Sequence, residues 1–155
     1  MHNETEAIAA DLQTVLSGQP WYGKSFSDLL NEVAEEKFYR KPNDASHSVA
    51  DLLYHMITWA EFTKYRLEKK RQDMNEVEAM DWREIDPAVH TKEQGIAQFS
   101  ACVHAIIELL KGRDDKMLEE KVDYREYNFR YLLNGLIQHT VYHLGQVAYV
   151  NKLLL

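Results

Sequence analysis

Three of the seven histidines stand in settings that suit metal chemistry. His139 and His143 lie four residues apart in QHTVYHLGQ, a spacing that puts both imidazoles on one side of a helix about one turn apart. A helix can present two ring nitrogens to one ion in this way. They share that side with Leu132, Leu136, Val147 and Val150, which argues that it faces a core. His55 falls in a row with Leu52, Trp59 and Phe62, so an inward His55 on a facing helix can supply a third ligand. Three neutral imidazoles around a dication leave coordination positions open, as in reactive rather than closed structural sites. The donors suit zinc, nickel or iron, and spacing does not choose among these divalent transition metals. The same spacing also fits histidines on a solvated face or hydrogen-bonded within a core, so the residues alone leave both readings standing.

Other motif chemistries are excluded. A zincin needs HExxH with its glutamate as general base, and Thr140 occupies that position here. No histidine has Glu three residues before it, as ferritin-like di-iron bundles require. There is no GxGxxG, GxxxxGK[ST] or GxSxG. The lone cysteine, Cys102, sits in apolar FSACVHAII and reads as a buried, inert thiol. Asp51, four residues before His55, suits either a helix cap or a bond to the outer nitrogen of His55. Trp59, Phe62 and Tyr142 could shape a substrate pocket, although aromatic rows at helical spacing are usually core. Trp21 and Tyr22 read as packing at the turn after the first helix, with a pocket mouth or dimer seam as the other use. His104, at the edge of an apolar stripe, reads as structural, and His2, His47 and His90 read as exposed.

Helices must position these residues. Ile8, Leu12, Val15 and Leu16 form a stripe that Gly18 and Pro20 stop. Ser25 and Asp28 open a short second helix. A strong helix capped by Ser46 or Ser48 carries Val49, Leu52, Leu53, Met56, Ala60, Thr63 and Leu67, and extends to about Arg71. Residues 72–90 lack clear periodicity and contain Pro87, so they read as a long connection. Thr91 and Gln94 cap the next helix, with Ile96, Phe99, Val103, Ile106, Ile107 and Leu110 along one side and Gly112 at its end. VDYREYNF alternates partially and reads as a short extended piece. Asn128 caps the last helix. This pattern predicts an all-α, single-domain four-helix bundle over residues 1–155, with a long crossover between the second and third bundle helices.

Composition narrows the class of partner. A length of 155 residues with 45% hydrophobic content fits one core. A formal charge of -7 argues against nucleic acid, which demands clustered Lys and Arg. No stretch reaches the roughly 20 apolar residues of a membrane span, and MHNETEAIAADLQ lacks the basic start and apolar run of a secretory signal. A reducing cytoplasm is the expected location, and no membrane partner is expected.

SHSVADLLYHMITWAEF, followed far downstream by YLLNGLIQHTVYHLGQVAYV, resembles the DinB-like (YfiT-like) superfamily of four-helix metal proteins. GQPWYGKSFSDLL is similar to the opening of one subgroup, so the resemblance runs from about residue 18 to the C-terminus. Its most specific element is H-x-x-x-H-x-x-Q with a glycine before the glutamine. The resemblance implies a metal on His55, His139 and His143, with Gln146 and Tyr142 nearby, and a homodimer. Some relatives are similar to S-transferases and isomerases that use low-molecular-weight thiols such as bacillithiol or mycothiol. Others carry a hydrolase label. The resemblance does not fix a reaction; hydrolysis usually wants a proton shuttle, and no carboxylate is built into the last-helix motif, so the reading leans to a metal-dependent transferase acting on a small molecule with a thiol cofactor. The alternatives are a metal-dependent hydrolase or a non-catalytic metal- or ligand-binding protein of the stress response.

Overall fold

The computed structural model describes residues 3–154 and is helical, with six α-helices among those residues. They are α1 (Glu4–Ser17), α2 (Phe26–Glu32), α3 (Val49–Leu67), α4 (Met74–Asp81), α5 (Lys92–Leu110) and α6 (Phe129–Leu153). The starts follow from capping side chains. Ser48 Oγ accepts from the Asp51 N–H at 3.0 Å while Asp51 Oδ2 accepts from the Ser48 N–H at 2.8 Å, so two free donors of α3 are satisfied reciprocally. Thr91 and Asn128 each accept from a backbone N–H three residues on, opening α5 and α6.

The four long helices α1, α3, α5 and α6 form the bundle. Tyr54 donates from its hydroxyl to the Thr91 carbonyl, and Glu61 lies against Gln98, so α3 and α5 run the same way. Their connection must therefore travel back along the bundle. The N-terminal half of α3 meets the middle of α6 through the histidines, whereas Thr63 and Leu132 line one cavity near the other end. α3 and α6 are thus antiparallel, and Arg130 bonds Glu4 at 2.7 Å where α6 and α1 begin together.

Between them lies an apolar core. The rings of Phe26 and Phe99 pack with centroids 4.3 Å apart. Leu30, Leu53, Ile57, Ile106 and Leu133 are fully excluded from solvent, each favouring the fold by roughly 1.5–3 kcal/mol relative to exposure. Gly95 marks the close approach of α5 to α3, since a Cβ there would sit 2.7 Å from Leu53 Cδ2. Cys102 is buried, and burial pushes its thiol up to about 12, consistent with an inert core residue.

The structure differs from the periodicity reading in several places. The connection 72–90 contains a helix, α4, opened by Asp73, whose side chain accepts from the Asn75 N–H at 2.9 Å. It buries only Val77, so its sequence carries too short an apolar face to show a period. α3 stops at Leu67 rather than near Arg71, because Lys69 adopts φ 58°, outside the helical region. VDYREYNF forms a tight turn closed by one antiparallel bridge, Lys121 to Asn128. Trp21 is wholly exposed rather than packed. No helix among the described residues is long and apolar enough to cross a membrane.

Candidate metal centre

His55 sits two turns into α3, and His139 and His143 lie on consecutive turns near the middle of α6. Because the helices are antiparallel neighbours, the rings meet across one seam. His55 Nε2 is 3.0 Å from both His139 Nε2 and His143 Nε2, which are 3.1 Å from each other. The sequence reading required two distant helices to bring these imidazoles to one point. They do so.

A triangle of ring nitrogens at this spacing cannot be satisfied by protons. Each nitrogen carries either one hydrogen or one lone pair directed outward in the ring plane. One proton leaves two lone pairs facing each other, and two protons leave hydrogens opposed. A central cation satisfies all three lone pairs at once. The three nitrogens, each within 3.1 Å of the other two, are close enough together that one ion could be held by all of them. Together His55, His139 and His143 form a cluster that could hold a metal ion.

The outer nitrogens fix which way the lone pairs point. His143 Nδ1 donates to Gln146 Oε1 at 2.5 Å, since that oxygen can only accept. His55 Nδ1 lies 2.6 Å from Asp81 Oδ1, a close carboxylate contact rather than an aligned hydrogen bond. Both settings favour the proton on Nδ1 and leave Nε2 free to coordinate. Asp81 Oδ1 in turn accepts from Trp59 Nε1 at 2.8 Å. His139 Nδ1 is buried with no hydrogen-bond partner among the described residues.

The rings are held neutral. Burial, reinforced by the neighbouring His143 and His55, pushes His139 down to about 3. Burial also lowers His55 against the pull of Asp81, and lowers His143 against its bond to Gln146. Neutral imidazole is the ligand form, so this site needs no deprotonation near pH 7.

Two residues of this site lie outside the sequence reading, Asp81 and Trp82. Asp81 ends α4 and Trp82 follows it; the Trp82 ring stacks flat on His55 at 3.8 Å and 7°, with His47 stacked on its other face at 4.0 Å. No local pattern marks either residue, and the only signal was the length of a crossover that must pass the seam. Asp51, four residues before His55, is the capping partner of Ser48. Tyr142 is exposed with its ring edge-on to His143 at 5.0 Å. Phe62 is core, while Trp59 lines a cavity. His47 and His104 are exposed, His90 is half-buried against Tyr54, and His2 lies outside the described residues.

The family model of the DinB superfamily matches residues 23–147, a span that includes all three histidines, Asp81 and Gln146. The chain belongs to the DinB superfamily. No curated protein matches it, so membership of the DinB superfamily carries the fold and the possibility of a metal without naming a reaction.

Proposed function

We propose that His55, His139 and His143 hold one divalent transition metal, and that this DinB-superfamily protein uses it to transfer a small thiol to an electrophilic small molecule. The observation that carries the reading is the Nε2 triangle, whose outer nitrogens at His55 and His143 already face acceptors. A divalent ion supplies Lewis acidity there, lowering the pKa of a thiol or water that reaches it. The chain's own residues orient and exclude: Asp81 and Gln146 fix ring tautomers, and Trp82 covers one face of His55.

Thiol chemistry is favoured over hydrolysis by the state of the nearest carboxylate. Asp81 is engaged by both His55 and Trp59, which leaves it poorly placed to relay protons from water. A thiol brings a more acidic proton and asks less of a base. The family resemblance supports pairing with a second copy, and the exposed Tyr131, Tyr142 and Tyr149, which recur near whole numbers of turns along α6, offer one face for it. A single buried cysteine suits a reducing cytoplasm.

The test begins with metal content by mass spectrometry on protein purified without a nickel column. His143→Ala should lose stoichiometric metal while keeping its helical circular dichroism. Protection of the loaded protein against unfolding by bacillithiol, mycothiol or glutathione supports thiol transfer. Turnover of activated esters without thiol supports the hydrolase instead, and tight metal with neither effect leaves a binding protein. A His143→Ala variant with wild-type metal affinity would sink the assignment.

A further inference from the structure

Beside the three histidines, the seam between α3 and α6 opens into a cavity of about 160 Å³. His139 forms one end of it. Trp59 and Thr63 line the α3 side, Leu132, Gly135 and Leu136 the α6 side, and Tyr127 and Tyr131 stand at the far end. None of these side chains carries a formal charge when the imidazole is neutral. The volume matches an engineered cavity of about 150 Å³ that takes up benzene.

Gly135 is what leaves that space. It lies inside α6, one turn before His139, where glycine is less favourable than alanine. Packing does not require it, because a Cβ built there meets nothing within 4 Å. Its backbone needs no left-handed conformation either, since it is not among the positive-φ glycines. The missing side chain leaves open space along α6, shared between this apolar cavity beside a metal-ligand candidate and a polar hollow with Arg130, Asn134 and Gln138. Trp59 ties the two together, lining the cavity with its ring and bonding Asp81 with its indole N–H. The Thr63 hydroxyl, already donating to the Trp59 carbonyl at 2.8 Å, makes little polar demand on an occupant.

We infer that this cavity is the recognition pocket for an uncharged, compact apolar group, ring-sized or a short branched alkyl, carried by a substrate whose polar head reaches the metal. The inference rests on the three-histidine reading for the head and on the cavity alone for the tail. It makes Gly135 a specificity-determining residue. Charged tails are rejected because the pocket offers no counter-charge and would strip their hydration.

Two ligand series separate tail from head. Toluene titrated into metal-free protein should give a saturable shift of the Trp59 indole N–H resonance, absent in Gly135→Leu. On zinc-loaded protein, benzohydroxamate should bind at least tenfold more tightly than acetohydroxamate by calorimetry. Gly135→Leu should erase that difference at unchanged metal content and circular dichroism, and Gly135→Ala should reduce it in part. Equal hydroxamate affinities in the wild type, or a preference that survives Gly135→Leu, overturns the pocket. If the protein takes up no metal, the toluene titration still decides: saturation sustains the pocket while the metal reading fails, and no shift overturns the pocket as well.

Discussion

At the scale of single residues, the site depends on groups that touch the imidazoles from behind. Asp81 reaches His55 Nδ1 at 2.6 Å and should both fix its tautomer and raise its basicity as a ligand. Replacing such a partner typically costs about 10–100-fold in metal affinity. Asp81→Ala is therefore expected to weaken metal binding by that order, read by competition with a chromophoric chelator, with the helical signal retained. Asp81→Asn keeps an oxygen acceptor and should lose less. Equal affinities for wild type and Asp81→Ala would remove Asp81 from the site. The candidate ligands were legible because their types and four-residue spacing are unusual on an apolar helix face. Asp81 was not, since a carboxylate in an acidic chain is unremarkable until the fold brings it to His55. Asp51, closer in sequence, was the more visible candidate and turned out to face the helix start.

Among the elements, Gly135 on α6 and Gly95 on α5 make opposite demands. At Gly135 the space is open, so Gly135→Ala gains helix propensity and should raise stability by about 0.5–1 kcal/mol in urea denaturation. At Gly95 an added Cβ meets Leu53 Cδ2 at 2.7 Å and the Tyr54 ring at 3.1 Å. Leu53 is itself fully buried and has little room to retreat, so the overpacking cost of roughly 1–3 kcal/mol should outweigh the propensity gain. Gly95→Ala is expected to lower stability, and a gain there would mean that α3 and α5 can separate at little cost. Bundle helices were readable because each buries a long periodic face. α4 was not, because it buries Val77 alone and is tied to α3 by polar bonds, from Thr58 to the Met80 carbonyl and from Trp59 to Asp81. Its position carries Asp81 and Trp82 to the site, so the least periodic segment supplies part of the chemistry.

For the whole molecule, the proposed site would couple folding to both pH and metal. In the folded apoprotein the three imidazoles are kept neutral, with His139 pushed down to about 3, whereas in the unfolded chain each titrates near 6.5. Below pH of about 6.5 the unfolded chain therefore binds more protons than the folded one, and stability falls with acidification. The loss begins near 6.5 and continues, for His139, toward about 3; above pH of about 7 these groups contribute no slope. A metal on the proposed site would act in the same direction, since it would bind the neutral rings of the folded state and be released only where those folded rings take up protons. At a free metal concentration of about 1,000 Kd the stabilisation would be about 4 kcal/mol. Thermal unfolding of loaded and chelator-treated protein from pH of about 8 to about 3 should thus show a gap that persists through about 6.5, where only the unfolded chain takes up protons, and closes toward about 3, where His139 is protonated in the folded state. Replacing His139 with Gln should flatten the apoprotein's acid slope and also remove the metal-dependent gap. A gap that already closes near pH of about 6.5, or an unchanged acid slope in that variant, would mean that the buried rings do not govern the corresponding coupling. The two readouts fail separately, because the apoprotein slope needs only burial whereas the gap needs the ion.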